Sequence, residues 1–171
     1  MTAVVLSIGS NLGDRLAHLQ SVVDGLGPAV RAASPVYETD PWGGVEQGAF
    51  LNAVLVAEDP ALDGHGWLRR GQELERAAVR IREKHWGPRT LDVDVISCRE
   101  GSAEVLHHDD ALTLPHPYAH QRAFVLIPWL AVDPAATLTV DGESRSIATL
   151  LAGLDPGDRA GVRSTELVLE C

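Results

Sequence analysis

The chain has few of the residues that cross-link a fold, cross a membrane or grip nucleic acid. Its two cysteines, Cys98 and Cys171, lie far apart and form no CxxC or zinc-type spacing. A disulfide framework is therefore not expected, and a reducing cytoplasm is the expected location. Nowhere do about 18 apolar residues run together. The opening MTAVVLSIGS has no basic flank, so neither a secretory signal nor a membrane span is expected. Positive charge is scarce: 14 Lys and Arg stand against 24 Asp and Glu, a net charge of −10. That balance opposes a general nucleic-acid binder, which needs an excess of cations along one surface. Neither GxxxxGK[ST] nor GxGxxG occurs, so any phosphate bound here must be held without a glycine loop of either kind.

What is present suits one domain. With 171 residues and 45% hydrophobic content, the chain is long enough to bury roughly 70% of its unfolded surface. The expected extent is residues 1–171, with a core over about 3–134 and a less defined part over 135–171. Ala3 to Ile8 reads as a strand ending in the turn formers GSNLGD. Leu16, Leu19, Val23 and Leu26 then recur at helical spacing before Pro28. Val30 to Glu38 and Phe50 to Glu58 read as further strands, separated by the loop TDPWGGVEQG. Trp67, Gly71, Leu74 and Ala78 are the expected buried stripe of a second helix, and Leu91 to Cys98 is a fourth strand. The order βαββαβ predicts an α+β, ferredoxin-like fold: an antiparallel sheet with helices on one face. A hairpin at Val140-Asp141-Gly142 and a helix near Ser146 to Leu154 follow.

Residues 85–96, HWGPRTLDVDVI, carry the densest chemistry. Side chains alternate along a strand, so Leu91, Val93 and Val95 share one face while Asp92 and Asp94 share the other. Such a pair is either the solvated side of an amphipathic strand or a set of hard oxygen ligands for a divalent cation. Just upstream, Arg76, Arg80, Arg82, Lys84 and Arg89 face the single acid Glu83. This cationic window is either a solvated helix face or an anion site in which arginine forks meet phosphate oxygens. His116 in LPHP and Arg122 add possible phosphate donors, although a histidine beside two prolines is often structural. Phe50 and Phe124, the only phenylalanines, are ordinary core candidates or stacking rings. Asn52 shares a strand face with Phe50 and can offer donor and acceptor to a heterocycle edge.

Together LSIGSNLGDR, SPVYETDPWG, FLNA, RIREKHWGPRTLDVDVI and LTLPHPYAHQRAFVLIP resemble the 6-hydroxymethyl-7,8-dihydropterin pyrophosphokinases of folate biosynthesis over most of residues 3–134. The resemblance implies a ferredoxin-like core and transfer of the diphosphate of ATP to the pterin hydroxymethyl group, releasing AMP. By the same resemblance, Asp92 and Asp94 hold two magnesium ions, and Arg80, Arg82 and Arg89 act with them in catalysis. Gln72, Glu75, Trp86, Val95, Thr113, His116 and Arg122, with those arginines, line the ATP. Thr39, Asp40, Trp42, Phe50, Asn52, Asp92 and Phe124 line the pterin. The implied partners are these two small molecules; the charge and the lack of a long apolar run lead us to expect no nucleic acid and no membrane, and a monomeric chain is expected.

Three positions depart from the family pattern: Val79 where a glycine is common, His85 where an arginine is frequent, and Asp40 where a proline is usual. Every charged catalytic position is kept. The rival classes are a catalytically silent binding domain of the same fold and a metal-dependent nuclease or phosphodiesterase. Retention of both aspartates and the arginines opposes the first, and the charge of −10 opposes the second.

Overall fold

The structure, a computed structural model, describes residues 2–40, 48–80 and 90–171. Its centre is an antiparallel sheet built around β1 (Thr2–Ser10), which pairs with β4 (Phe50–Asp59) on one side and β5 (Asp92–Glu100) on the other. All three strands are rich in β-branched and aliphatic residues, the composition that fits a pleated surface buried on both faces. Outside β4 lie β2 (Val30–Ala33) and β3 (Tyr37–Thr39), and the short β6 (Ala103–Glu104) flanks β5. The expected continuous strand over Val30 to Glu38 is thus broken in two. Pro35 has no N–H to give a ladder, and Ser34 takes over at the break: its N–H donates to the Val54 carbonyl and its hydroxyl accepts from Val54 N–H, both at 2.9 Å.

The two expected helices form. Helix α1 (Arg15–Leu26) starts at Asp14, whose carboxylate accepts from Ala17 N–H, and stops at Gly27, where φ is +57°. Helix α2 (Gly64–Arg80) buries Trp67, Gly71, Leu74 and Ala78 as its stripe predicts. Both helices feed one core on one sheet face, around Val4, Leu6, Ile8, Leu55, Val93 and Val95. The opposite face is covered as well, which corrects the expectation of helices on one face alone. There α3 (Ala123–Val132) packs Val125, Leu126 and Trp129 over Val54 and Ile96. It lies within LTLPHPYAHQRAFVLIPWL, a segment whose sequence gave no helical stripe.

Between β6 and α3 run β7 (His107–His108) and β8 (Thr113–Leu114), which pair with each other. The expected hairpin forms from β9 (Thr137–Val140) and β10 (Glu143–Ser146), with Asp141 and Gly142 both at positive φ, as a two-residue type I′ turn requires. Helix α4 (Ile147–Ala152) begins at Ser146, whose side chain accepts from Thr149 N–H. Two elements beyond it were not anticipated: α5 (Pro156–Ala160) and β11 (Val162–Ser164), which joins the main sheet beside β3. Among the described residues no helix is long and apolar enough to cross a membrane.

Candidate functional site

On β1, Val4, Leu6 and Ile8 point into the core beneath α1 and α2, so Val5, Ser7 and Gly9 point to the other face. Pairing extends that row across the sheet. Gly9 stands opposite Asn52 of β4 and opposite Asp92 of β5, while Ser7 stands opposite Asp94. Residues directly opposite in an antiparallel pair share a face. Asn52, Gly9 and Asp92 thus form one row, with Phe50 and Asp94 on the same face as their strand neighbours. Further along this face Val54 and Ile96 are sealed by α3. Where α3 begins, the seal ends and a cavity of about 470 Å³ opens.

Its walls are Ser7, Gly9, Thr39, Asp40, Phe50, Asn52, Asp92, Asp94, Tyr118, Gln121, Arg122 and Phe124. The Asn52 amide is buried and donates to Thr39 Oγ1 at 2.9 Å, leaving its second N–H and its oxygen for a ligand edge. Arg122 precedes the first turn of α3. Its guanidinium carbon lies 5.5 Å from the Phe124 ring centre and 5.8 Å from that of Tyr118, within cation–π range. Its Nη1 is 3.9 Å from Asp94 Oδ2, a loose ion pair in a half-exposed setting. The cavity therefore combines aromatic faces, a buried amide, three carboxylates and one arginine.

Six of the seven residues expected to line a pterin come together here: Thr39, Asp40, Phe50, Asn52, Asp92 and Phe124. Trp42 lies outside the described residues. Of the residues expected around ATP, Arg122 lines the cavity, while Gln72, Glu75, Thr113 and His116 stand outside its walls. Gln72 is exposed on α2. Glu75 accepts from Val93 N–H at 3.0 Å, binding α2 to β5. Val95, also expected beside the nucleotide, is 5% exposed and packs in the core beneath α2. Thr113 Oγ1 lies 2.9 Å from His108 Nδ1. His116 N–H donates to the Ile96 carbonyl at 2.9 Å. Burial pushes the His116 imidazole below its ordinary pKa, Asp94 pulls the other way and Arg122 adds to the lowering. Arg80 ends α2, with its side chain beyond the description; Arg82, Trp86 and Arg89 lie outside the described residues.

Ser7, Gly9, Tyr118 and Gln121 were not anticipated. For Ser7 and Gly9 the signal was present, because they are the polar or side-chain-free positions alternating with Val4, Leu6 and Ile8. The tail also reaches the site: Arg163 of β11 donates to Asp40 Oδ1 at 2.7 Å and to Glu38 Oε1 at 3.3 Å. At the approach to β4, Arg15 Nη1 donates to the Ala49 carbonyl at 2.8 Å, tying the start of α1 to the residue before Phe50.

Comparison with known proteins bears on the family of the chain. The chain is 64% identical over 168 residues to the 2-amino-4-hydroxy-6-hydroxymethyldihydropteridine pyrophosphokinase of Mycobacterium tuberculosis H37Rv, covering 95% of this chain and 89% of the relative. It is 61% identical over 176 residues to the protein of that name from Mycobacterium leprae, covering 99% and 92%. Among solved structures, Plasmodium falciparum HPPK-DHPS with SDX-DHP superposes with a TM-score of 0.63 at 14% identity, over 88% of this chain. That likeness shows the fold alone, a mixed α/β fold with an antiparallel sheet, and this chain spans 44% of the solved one. The model of the 7,8-dihydro-6-hydroxymethylpterin-pyrophosphokinases matches residues 5–134, the stretch that supplies every cavity wall, and the chain belongs to that family.

Proposed function

We propose that this chain transfers the diphosphate of ATP, as one unit, to the hydroxymethyl oxygen of 6-hydroxymethyl-7,8-dihydropterin, yielding the pterin diphosphate and AMP for folate biosynthesis. The observation that carries this reading is one cavity with two kinds of wall: Phe50, Phe124 and Asn52 beside Asp92, Asp94 and Arg122. A flat, hydrogen-bonding ring suits the first group. Phosphoryl chemistry, which rests on positioning and charge neutralisation, suits the second. The strand order β3-β4-β1-β5, with α1 and α2 on one face, supports the ferredoxin-like reading of the core.

Asp92 and Asp94 fit magnesium by the chemistry of the donor set, since two hard carboxylates face one solvent-reached cavity and magnesium takes few protein oxygens. Bound there, two ions would neutralise triphosphate oxygens. The chain's own residues do the remaining work. The aromatic rings hold the pterin plane, the Asn52 amide reads its edge, and Arg122 presents a planar cation next to the carboxylates. Gln72, Glu75, Thr113, His116 and the arginines 80, 82 and 89 make up the nucleotide side of this reading. The partners are the two small molecules, and the active unit is a monomer in the cytoplasm.

The test is incubation with ATP, magnesium and the hydroxymethyl-dihydropterin. Release of AMP with the pterin diphosphate is expected; ADP, or no product, would overturn the reading. Asp92→Ala and Asp94→Ala should each lower turnover at least ~10³-fold, over about 4 kcal/mol, while circular dichroism stays native. Activity within about tenfold of the parent in either variant would remove the metal assignment.

A further inference from the structure

Away from the cavity, three side chains from different elements converge on one point. His65 lies in the first turn of α2, His107 on β7, and Asp109 in the turn between β7 and β8. Asp109 Oδ2 is 2.8 Å from His65 Nε2 and 2.7 Å from His107 Nε2, and the two nitrogens are 3.3 Å apart. The side chains are 37%, 39% and 38% exposed, so the cluster borders solvent. None of the three lines the cavity described above.

The backbone arranges this meeting. Asp63 caps the start of α2 by accepting from Gly66 N–H at 2.8 Å. At Gly64 an added Cβ would stand 3.0 Å from Leu114 Cδ1 and 3.2 Å from Leu112 Cδ2, so the start of α2 packs closely against the β7–β8 hairpin. Asp109 is fixed as well: its Oδ1 accepts from Ala111 and Leu112 N–H, both at 2.8 Å. Its Oδ2 is thereby held toward the two rings, as carboxylate ligands are held by hydrogen bonds at their other oxygen.

We propose that His65, His107 and Asp109 form a binding site for a first-row transition-metal dication, best matched by zinc and separate from the Asp92–Asp94 pair. Zinc bonds to imidazole nitrogen at about 2.0–2.1 Å, and in a tetrahedron that sets neighbouring ligand atoms about 3.3 Å apart. The two nitrogens already stand at that separation. The carboxylate oxygen is about half an ångström closer than the tetrahedral edge, a difference that small χ rotations of half-exposed side chains remove. Imidazole nitrogen selects zinc, nickel or copper over magnesium. The three protein ligands leave a fourth position facing water. A metal there clips the start of α2 to the hairpin that carries Thr113.

The test is zinc titration by calorimetry on the full chain after chelator treatment, with cobalt(II) as the spectroscopic probe. The Asp92→Asn/Asp94→Asn double variant serves as background, so that the cavity carboxylates do not contribute. The proposal expects one zinc per chain in that background. It also expects visible cobalt bands of four-coordinate intensity and zinc affinity at least tenfold weaker when His107→Ala is added. His107→Gln and Asp109→Asn are read in parallel, so that loss of fold in one variant leaves two others to decide. No zinc uptake in the double variant, or uptake undiminished in every folded cluster variant, would overturn it.

Discussion

Gly9 has no side chain where a neighbouring strand's amide fills the space: an added Cβ would stand 2.6 Å from Asn52 Oδ1. The Asn52 amide cannot simply turn away, because it is buried and held by Thr39. Gly9→Ala should therefore act as a lesion of Asn52. We expect pterin binding to weaken by about 1–3 kcal/mol in Gly9→Ala and in Asn52→Ala, the cost of an unmet buried partner. The double variant should be no worse than Asn52→Ala alone, and ATP affinity measured by calorimetry should stay near the parent's. Undiminished pterin affinity in Gly9→Ala would show that another group reads the ring. The thiols give a second expectation. Burial, followed by the charges of Asp63 and Glu100, pushes the Cys98 thiol up to about 12, whereas Cys171 is exposed. A thiol reagent on the native chain should titrate one group quickly, and Cys171→Ser should abolish that phase; a fast phase that survives would contradict the burial of Cys98. At this scale the sequence was informative wherever a residue's place on the cavity follows from the alternation of its own strand, as with Asp92, Asp94, Phe50 and Asn52. It was silent on Tyr118 and Gln121, which meet the cavity only through the path of the chain before α3.

Elements with a one-sided pattern were legible, and those without one were not. The α2 stripe at Trp67, Gly71, Leu74 and Ala78 sits where the 3.6-residue period puts it, because one face of that helix meets solvent. Helix α3 buries Ala123, Val125, Leu126, Pro128 and Trp129, leaving no polar face to set a period, and Pro128 within it reads as a breaker. Strand β11 is three residues long and owes its place to its partner: Val162 pairs with Thr39, Arg163 with Glu38 and Ser164 with Tyr37. The chain after it runs back along the edge, with Thr165 Oγ1 donating to the Val36 carbonyl and Gln20 exchanging hydrogen bonds with the Glu170 backbone. Because Thr39 also holds the Asn52 amide, the tail braces the Thr39–Asn52 wall of the cavity from outside. Truncation after Leu154 should weaken pterin binding several-fold and leave ATP binding near the parent value. Arg163→Ala alone should change little, since its ion pairs are exposed and screened. Unchanged pterin affinity in the truncated chain would mean that the tail is only a cover.

Among the described residues two cores lie on opposite faces of the main sheet, and this arrangement governs how the molecule can unfold. Along β4, Val54 belongs to the core under α3 while Leu55 belongs to the core under α1 and α2. Along β5, Ile96 belongs to the former and Val93 and Val95 to the latter. Neither helical layer can leave without exposing strand residues whose neighbours anchor the other, so both cores should melt together in one cooperative transition. Two tryptophans report separately on the halves: Trp67 is 1% exposed on the α2 side and Trp129 is 2% exposed on the α3 side. Leu126→Ala empties a fully buried position in the α3 core, and about 2–5 kcal/mol of stability should be lost, depending on how far the cavity collapses. Leu19→Ala in the α1 core should cost a similar amount. In urea unfolding of chains that keep Trp67 or Trp129 as their single tryptophan, with Trp42, Trp86 and the other one replaced, each substitution should shift both reporters to the same lower midpoint with unchanged slope. A transition that splits in two, with Leu126→Ala moving the Trp129 signal and leaving Trp67 where it was, would show that the layers are held independently and that the shared strands do not couple them.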